Sequence, residues 1–507
     1  MLEKILLGIS LVINFKILIM ILVGTILGIT FGALPGFTAS MGVAVLIPLT
    51  FGMKPVVGLA LLGAVYCGAI YGGSITAILI ATPGTPAAAA TVLDGYEMTK
   101  QGKSGEALIE ATTASFWGGI ISALALLFIG PALANAALKF GPPEYFMLAV
   151  FGLTIIITLT TKSILKGIIS GIFGLLIGSI GMDPLLGYPR FIFGETNLLT
   201  GISLVPALIG LYSMTQVFML IIEGNTQIVE VDVSKVKTVK PTWKDLIRYP
   251  VTYIRSGLIG TFVGALPAAG ASIAAFIGYN EGKRFSRTPE KYGTGHREAI
   301  ASAEAANNGV TGGSLITMLT LGIPGNSTTA ILLGGIMIQG LRPGNELFTT
   351  NAHISYPFII SLFLANFAML IIGLYGAKYF ANIAKTPVNI LATIIITLGV
   401  MGSYAINNSM FDVGIMLAFG LFGYLLKTNN FEASPIVLGM ILGPIAESGL
   451  TQSRVLARGG SLIGYFLGRP ICLVLGILTL VSLLTPLIRD SVYIKHVLNK
   501  NERSNKI

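Results

Sequence analysis

The chain has 507 residues, of which 53% are hydrophobic and 11% are charged, and its mean hydropathy is +0.82. Soluble globular proteins carry about 25% charged residues, so the composition excludes that class and indicates a polytopic membrane protein. The net charge is +10, but the Lys and Arg residues lie in short segments between apolar runs, where they orient a protein in a bilayer. We therefore expect a lipid bilayer around the chain and no nucleic-acid partner.

Uncharged runs long enough to span a bilayer recur along the chain. They include residues 17–53, 55–93, 256–280 and 305–341. Since a span needs about 20 apolar residues, we predict about eleven spans and two shorter excursions. The first run is too long for a signal-peptide core and has no cleavage site, so we expect it to be retained.

Two phrases occur twice, in the same order. "GALPGFTAS" (32–40) and "GALPAAGAS" (264–272) agree at six of nine positions, and "YGGSITAILIATPGTPAA" (71–88) is similar to "TGGSLITMLTLGIPGNSTT" (311–329). Aligning the second pair on Gly-Gly-Ser leaves one extra residue in the later copy before Pro-Gly, and pairs Asn307 and Asn308 with Cys67 and Gly68. Ordered repeats predict a duplicated architecture, which is common among transporters.

The charges around the GALP phrases predict that the two copies are inverted. Residues 256–280 have Lys and Arg on both sides, which indicates a re-entrant hairpin that opens to the cytoplasm, with two arms of about eleven residues each. The first copy has only Lys16 before it and Lys54 after it, which suits the outer face. An odd number of spans separates the copies, at 55–93, 111–136, 145–160, 164–181 and 201–222.

The predicted organisation therefore has four parts. They are a first membrane repeat at 1–222, a basic cytoplasmic linker at 223–255, a second membrane repeat at 256–486 and a basic cytoplasmic tail at 487–507. Inner loops are expected near Lys378 and Lys385 and near Lys427. Residues 1–16 form either an interfacial helix or part of an extra span.

Each half also contains a Pro-Gly that should interrupt an apolar helix, because proline lacks an N–H and glycine adopts conformations that other residues avoid. Unwound backbone at membrane depth is tolerated where it is buried in protein or lines a wet cavity. Half-helix N-termini suit an anion, and C-terminal ends and free carbonyls suit Na⁺. We predict that substrate and cation meet where two hairpin tips and two helix breaks converge.

The predicted substrate-binding residues belong to the tips, the breaks and one asparagine pair: Pro35, Gly36, Thr38, Ser40, Thr82, Pro83, Gly84, Thr85, Pro267, Gly270, Ser272, Asn307, Asn308, Pro324, Gly325, Asn326, Ser327 and Thr328. The Na⁺ ligand candidates are Thr38, Ser40, Ser74, Ser272 and Ser314. The first tip has a hydroxyl at Thr38 that the second tip lacks, so we expect the stronger cation site there.

Structural roles compete with several of these assignments. Gly72, Gly73, Gly312 and Gly313 suit close helix packing, and the two asparagines suit an interhelical hydrogen bond. Glu304 is a functional candidate because it lies within a membrane helix, although the neighbouring charges Arg297 and Glu298 would suit the membrane interface.

The sequence shows no machinery for catalysis or ATP hydrolysis. It has no Ser/His/Asp grouping, HExxH or Walker-type loop, so we expect neither an enzyme nor an ATP-driven pump. Cys67 and Cys472 lie in apolar runs without metal-ligand spacing, so neither a disulfide nor a zinc site is expected, and we predict no cofactor beyond a coupling ion.

The repeated phrases identify a family resemblance. "GALPGFTASMGVAVLIPLTFGMKP", "YGGSITAILIATPGTPAA", "EAANNGVTGGSLITMLTLGIPGNSTTAILLGG" and "GLRPG" resemble the large membrane subunit of the tripartite tricarboxylate transporters, the TctA family, over about residues 10–485. That family is grouped with the ion-transporter superfamily, whose inverted repeats each contain a re-entrant hairpin followed by a discontinuous helix. The resemblance implies that the tip and break residues named above bind substrate and cation.

The resemblance also implies a function. It is secondary uptake of carboxylates such as citrate across the bacterial inner membrane, coupled to Na⁺, with a cytoplasmic C-terminus. The implied partners are a small membrane subunit and a periplasmic solute-binding protein that delivers the substrate. The alternative is a carboxylate exchanger or permease that works without the binding protein.

Overall fold

A computed structural model describes residues 1–160, 163–183, 187–222, 239–267, 269–380 and 388–484. Within these ranges the chain is helical, apart from short 3₁₀ turns, connecting loops and an antiparallel pair of two-residue strands, β1 (Gly181–Met182) and β2 (Pro189–Arg190). The helices are α1 (Leu2–Val12), α2 (Phe15–Ala33), α3 (Ala39–Leu46), α4 (Pro55–Ile80), α5 (Ala89–Lys100), α6 (Ser104–Ala136), α7 (Pro142–Thr160), α8 (Ile164–Gly178), α9 (Leu204–Leu208), α10 (Thr215–Ile222), α11 (Trp243–Leu246), α12 (Pro250–Ala265), α13 (Gly270–Phe285), α14 (Arg297–Leu321), α15 (Ser327–Ile338), α16 (Asn345–Phe348), α17 (Ala352–Phe380), α18 (Val388–Asn407), α19 (Met410–Thr428), α20 (Ser434–Leu456), α21 (Leu462–Leu467) and α22 (Pro470–Leu484). A π-helical turn, Ile209–Met214, joins α9 to α10.

Eight helical segments in the described part of the chain are long and apolar enough to cross a membrane, by length and composition. They are Phe15–Ala33, Pro55–Ile80, Ser104–Lys139, Leu204–Ile222, Ala352–Ala377, Ile390–Asn407, Met410–Thr428 and Ser434–Leu456. Four shorter apolar helices accompany them. The fold is therefore that of an all-α polytopic membrane protein. The predicted total of about eleven spans and the opposite orientation of the two repeats stay predictions.

The chain forms two compact units, each built from separate stretches of sequence. Unit 1 comprises Met1–Ala137 and Ser203–Asn429, and unit 2 comprises Leu138–Ile202 with the described part of Asn430–Ile507. Both hairpin tips and both helix breaks belong to unit 1. The predicted loop at Lys385, most of the predicted linker and the tail at 487–507 lie outside the described residues.

Local sequence signals explain where several helices of unit 1 begin. Pro55 and Pro250 occupy the first turns of α4 and α12, where a missing N–H costs no hydrogen bond. The side chain of Thr38 accepts a hydrogen bond from the Met41 N–H and caps α3. Asn326 caps α15 in the same way through the Thr329 N–H, at 2.9 Å. Polar caps thus start the helices that follow the first tip and the second break.

The second GALP phrase forms a helical hairpin that is longer than predicted. Its arms, α12 and α13, pack together and have 16 residues each, about 24 Å at 1.5 Å per residue. The expectation of about eleven residues per arm was wrong because both helices continue past the apolar run. The Glu298 carboxylate closes the base of the hairpin by accepting from Thr252 at 3.0 Å and from Ser286 at 2.6 Å.

A buried charge network joins α6, α11 and α14 at the start of α14. Arg297 donates to Glu110 and to Asp245, at 3.0 Å in each case, and Glu110 also accepts from Tyr253 at 2.7 Å. Asp245 further accepts from Arg248 at 3.0 Å. These bonds connect the segment before α12 to both long helices that flank it.

A second anchor lies on α5, the helix that follows the first break. The buried Asp94 carboxylate accepts from the backbone N–H groups of Gly293, Gly295 and His296 at 2.8–3.0 Å, and from the Tyr279 hydroxyl at 2.9 Å. The loop before α14 is therefore tied to the helix after the first break.

Unit 2 consists of α7 and α8 packed against α20, with α21, α22 and the β1–β2 pair. Arg190 of β2 forms an ion pair with Glu447 of α20, with one N–O distance of 3.1 Å. The buried Glu144 of α7 accepts from Arg469 at 2.6 Å.

Candidate functional site

The helices that lead into the two hairpin tips end with matching backbone geometry. Helix α2 ends at Leu34 with φ −80° and ψ 118°, and α12 ends at Leu266 with φ −79° and ψ 127°. Each of these leucines donates its N–H to the carbonyl three residues earlier. The GALP phrase therefore ends a helix by the same turn in both copies.

The two helix breaks also match. Helix α4 ends at Ala81 with φ 56°, and α14 ends at Gly322 with φ 73°, both in the left-handed region. Each is followed by Pro-Gly two residues later. Ala81 accepts a conformation that disfavours a side chain, so the first break carries local backbone strain that Gly322 avoids in the second.

Tip and break lie against each other within each copy. A Cβ atom added to Gly84 would collide with the carbonyl oxygen of Gly32, and one added to Gly325 would collide with that of Gly264. Only glycine permits such a backbone-to-backbone approach. The predicted meeting of tip and break is thus present within each half of the chain.

These contacts correct the alignment of the second phrase pair. Gly72 packs against the Ile29 carbonyl, and the residue that packs against the equivalent Thr261 carbonyl is Gly313, not Gly312. Pro83 and Pro324 have the same spacing of 241 positions as Gly72 and Gly313. The copies therefore match without an extra residue, and Asn307 and Asn308 correspond to Tyr66 and Cys67. The identity-based alignment was wrong because the Gly-Gly-Ser triplet is shifted by one position.

In the corrected register, each broken helix carries a threonine hydroxyl that lacks a partner. Thr76 on α4 and Thr317 on α14 correspond, and neither Oγ1 atom has a hydrogen-bond partner among the described residues. Thr85 at the first break is 3% exposed, and its Oγ1 atom also lacks a hydrogen-bond partner among the described residues. Buried polar groups without partners are uncommon and favour sites that bind an ion, water or ligand.

Tyr66 links the two copies at the second break. Its hydroxyl lies 3.0 Å from the Ser314 Oγ, and Asn326 Nδ2 donates to it at 2.7 Å. Tyr66 is fully buried in α4. The break of the second copy is therefore positioned by a helix of the first.

A polar pair lies beside the first tip. Gln216 on α10 is buried, and its Nε2 faces Gly36, which has φ +82°. Lys427 of α19 donates to the Gln216 Oε1 at 3.0 Å. The first tip therefore has the Gln216 amide next to it, and the Lys427 ammonium group is hydrogen-bonded to the far side of that amide.

Comparison with known proteins identifies the family of the chain. The profile of the "Tripartite tricarboxylate transporter TctA family" matches residues 18–438. The chain belongs to the TctA family.

Two similar proteins come from Agrobacterium vitis. An uncharacterised 52.8 kDa protein in the TAR-I ttuC' 3' region is 35% identical over 479 residues, which are 93% of this TctA-family chain and 95% of the relative. An uncharacterised protein in the TAR-II ttuC' 3' region is 32% identical over 242 residues, 46% of this chain and 99% of that protein. No solved structure matches.

The other predicted site residues of the TctA-family chain form hydrogen bonds within the protein or shape its turns. Thr38 and Ser40 lie 2.7 Å apart through their hydroxyl oxygens, Ser74 donates to the Tyr71 carbonyl at 2.7 Å, and Ser314 is held by Tyr66. Thr82 lies at the first break and donates to the Ile80 carbonyl at 3.3 Å. Pro35, Pro267 and Gly270 shape the tips, with Ser272 in the first turn of α13, and Ser327 and Thr328 begin α15.

Asn307 and Asn308 lie far from the second break and near α5 and α6. Asn307 Nδ2 donates to Glu304 Oε2 at 3.4 Å, and Asn308 Nδ2 donates to Ser115 Oγ at 2.8 Å. Glu304 itself is 0% exposed, so its carboxyl is buried within the protein. Seven residues of α14 precede it, and these include the charged residues Arg297 and Glu298.

Sequence reasoning missed Tyr66, Thr76, Thr317 and Gln216. A tyrosine or threonine in an apolar helix usually indicates the core, and only a correct register would have paired Thr76 with Thr317. Gln216 is a polar residue in an apolar span, which is a signal that the sequence did offer.

Proposed function

We propose that this TctA-family protein imports carboxylates across the bacterial inner membrane by Na⁺-coupled secondary transport, with the substrate delivered by a periplasmic binding protein. Family membership establishes a subunit of a tricarboxylate transporter. The observation that carries the finer proposal is the pair of matched breaks, each with a hairpin tip against it and a partnerless threonine hydroxyl beside it.

The carboxylate is assigned to backbone and amide donors. The N-terminus of α15 lies at the second break, and helix N-termini favour anions. At the first tip, the Gln216 amide and the Lys427 ammonium supply donors and positive charge. Carboxylate oxygens accept both kinds of hydrogen bond, so these groups suit an acidic substrate without a buried arginine.

The cation is assigned to hydroxyl and carbonyl oxygens. Thr38, Ser40, Ser272 and Ser314 remain the candidates near the tips and the second break, together with Ser74 on the first broken helix. Hard cations prefer oxygen ligands, and unwound carbonyls at helix breaks are a recurrent Na⁺ environment in transporters. The partnerless Thr76 and Thr317 hydroxyls add one oxygen beside each break.

The assembly belongs to the proposal as well. We assign the chain a small membrane subunit and a periplasmic solute-binding protein as partners, a multi-pass position in the inner membrane and a cytoplasmic C-terminus. The name of the matching family supports three components.

Reconstitution tests these assignments. The full chain and its small subunit are placed in proteoliposomes, and uptake of labelled citrate is measured with and without an inward Na⁺ gradient and the binding protein. We expect uptake to need both. Uptake that depends on neither the Na⁺ gradient nor the binding protein would contradict the proposal and favour a carboxylate exchanger or permease.

Variants then test the threonines. Thr76→Val and Thr317→Val keep the side-chain shape and remove the hydroxyls, so we expect each to raise the Na⁺ concentration at half-maximal uptake. Thr397→Val is the control, since Thr397 is exposed on α18 and bonds only to its own helix. Equal Na⁺ dependence in all three variants would refute the role of the threonines.

A further inference from the structure

Glu304 is a carboxyl group buried among neutral partners. It is 0% exposed, and Thr91 Oγ1 donates to its Oε1. Its Oε2 accepts from Ser115 Oγ at 3.0 Å and from Asn307 Nδ2 at 3.4 Å. No described partner carries a positive charge. An ionised carboxylate in such surroundings loses its hydration without gaining a counter-ion, which is unfavourable.

The charged groups on the elements around Glu304 are engaged elsewhere. On α14 itself, Arg297 binds Glu110 and Asp245. On the packed helices α5 and α6, Asp94 binds the loop before α14, and Glu110 binds Arg297 and Tyr253. On α12 and α13, Arg255 lies over the Phe285 ring, and Tyr279 binds Asp94. On α4, the Tyr71 hydroxyl lies 2.8 Å from that of Thr112. Helix α15 has no ionisable residue. None of these groups neutralises Glu304.

The surroundings of Glu304 also contain buried hydrogen-bond acceptors without a described donor. Asn307 Oδ1 and Asn308 Oδ1 are buried and have no partner among the described residues. An ionised carboxylate adds acceptors only, whereas a protonated carboxyl adds one O–H donor. Protonation of Glu304 therefore adds a donor to a cluster that contains partnerless acceptors.

The cluster joins the two copies of the repeat at the first break. Thr91 lies on α5, six residues after Thr85, while Glu304 comes from α14. A change at Glu304 therefore acts directly on the helix that leaves the first break.

We propose that Glu304 is a proton-binding site of the transport cycle. The carboxylate takes a proton from one side of the membrane, holds it as the neutral acid bonded to the hydroxyl and amide cluster, and releases it to the other side. Because Thr91 binds the same carboxyl, proton occupancy sets the position of α5 relative to α14. The inference rests on the proposed transport function and adds a proton to its coupling ions.

Infrared difference spectroscopy of the purified full chain tests proton binding without transport. We expect the carbonyl stretch of a protonated carboxyl at neutral pH, lost in Glu304→Gln and kept in Glu110→Gln. Glu110 is the matched control, since it is equally buried but paired with Arg297. A band of unchanged intensity in Glu304→Gln overturns the proposal. If that variant does not fold, Glu304→Asp must shift the band, and an unshifted band also overturns it.

Proton movement is then followed in proteoliposomes with an internal pH-sensitive dye during citrate uptake. We expect wild-type uptake to acidify the lumen and to depend on external pH, and we expect both effects to disappear in Glu304→Gln. Wild-type pH dependence in that variant refutes the role of Glu304. Failure of all citrate uptake refutes the proposed function instead, while the infrared result still decides whether Glu304 holds a proton.

Discussion

Tyr66 of α4 and Asn326 of the second break are joined by a hydrogen bond of 2.7 Å, across 260 positions of the sequence. The same tyrosine hydroxyl lies 3.0 Å from Ser314. One side chain of the first copy thus contacts both Asn326, which caps α15, and Ser314 of α14, the helix that precedes the break.

Tyr66→Phe should weaken transport. It leaves the Asn326 amide short of a buried partner, which costs about 1–3 kcal/mol, and we expect uptake to fall about tenfold, equivalent to about 1.4 kcal/mol. Tyr71→Phe is the matched control, because Tyr71 is also buried in α4 but bonds to Thr112. Equal loss of citrate uptake in the two variants, measured at equal protein amounts, would contradict a specific role for Tyr66.

Gly84→Ala and Gly325→Ala should each disrupt the contact between a tip and a break. The added methyl group meets a backbone carbonyl that cannot move independently, and such overpacking costs about 1–3 kcal/mol. Gly414→Ala in α19 meets no atom within 4 Å and should be neutral or stabilising by about 1 kcal/mol. Thermal unfolding in detergent measures all three, and an unchanged midpoint for Gly84→Ala would refute the close approach.

The first hairpin tip should depend on its hydroxyls for Na⁺. Thr38→Ala with Ser40→Ala should raise the Na⁺ requirement for uptake more than Ser272→Ala does, because only the first tip has two hydroxyls in contact. Thr38 also caps α3, a contribution of about 1 kcal/mol, so Ser40→Ala alone separates the cation effect from the cap. The reverse order of Na⁺ requirements would move the stronger cation site to the second tip.

Acid should weaken the network at the start of α14 through Asp245. Burial alone would raise the pKa of Asp245, but hydrogen bonds from Thr242, Arg248 and Arg297 outweigh it and hold the pKa well below its usual value. A lowered folded-state pKa stabilises the fold above the unfolded value of about 3.9 and loses that effect as the pH falls.

Asp245→Asn should therefore lower the unfolding midpoint at pH 7, and the difference from the wild type should shrink below about pH 4. Glu97→Gln is the control, because the Glu97–Lys100 pair is exposed and such pairs contribute about 0–1 kcal/mol. A pH-independent difference for Asp245→Asn would show that shape, not charge, explains the effect.

The sequence predicted the tips and breaks because proline and glycine act locally. "GALP" and Pro-Gly interrupt helices at Leu34, Ala81, Leu266 and Gly322 whatever surrounds them. It did not predict the register of the second phrase, since contacts of Gly72 and Gly313 with neighbouring backbones decide it, and these are tertiary. Nor did it place Glu304, because burial depends on which helices cover the first turns of α14.

In the proposed substrate site, the backbone contact between Gly32 and Gly84, and its counterpart between Gly264 and Gly325, limits how substrate preference can change. Point mutations cannot reshape a contact between two backbone segments without disrupting it. New specificities must therefore arise at the few side chains around the contact. Thr85 and Asn326 hold equivalent places at the two breaks and differ in size and polarity. They are the first positions to randomise when an altered substrate range is sought.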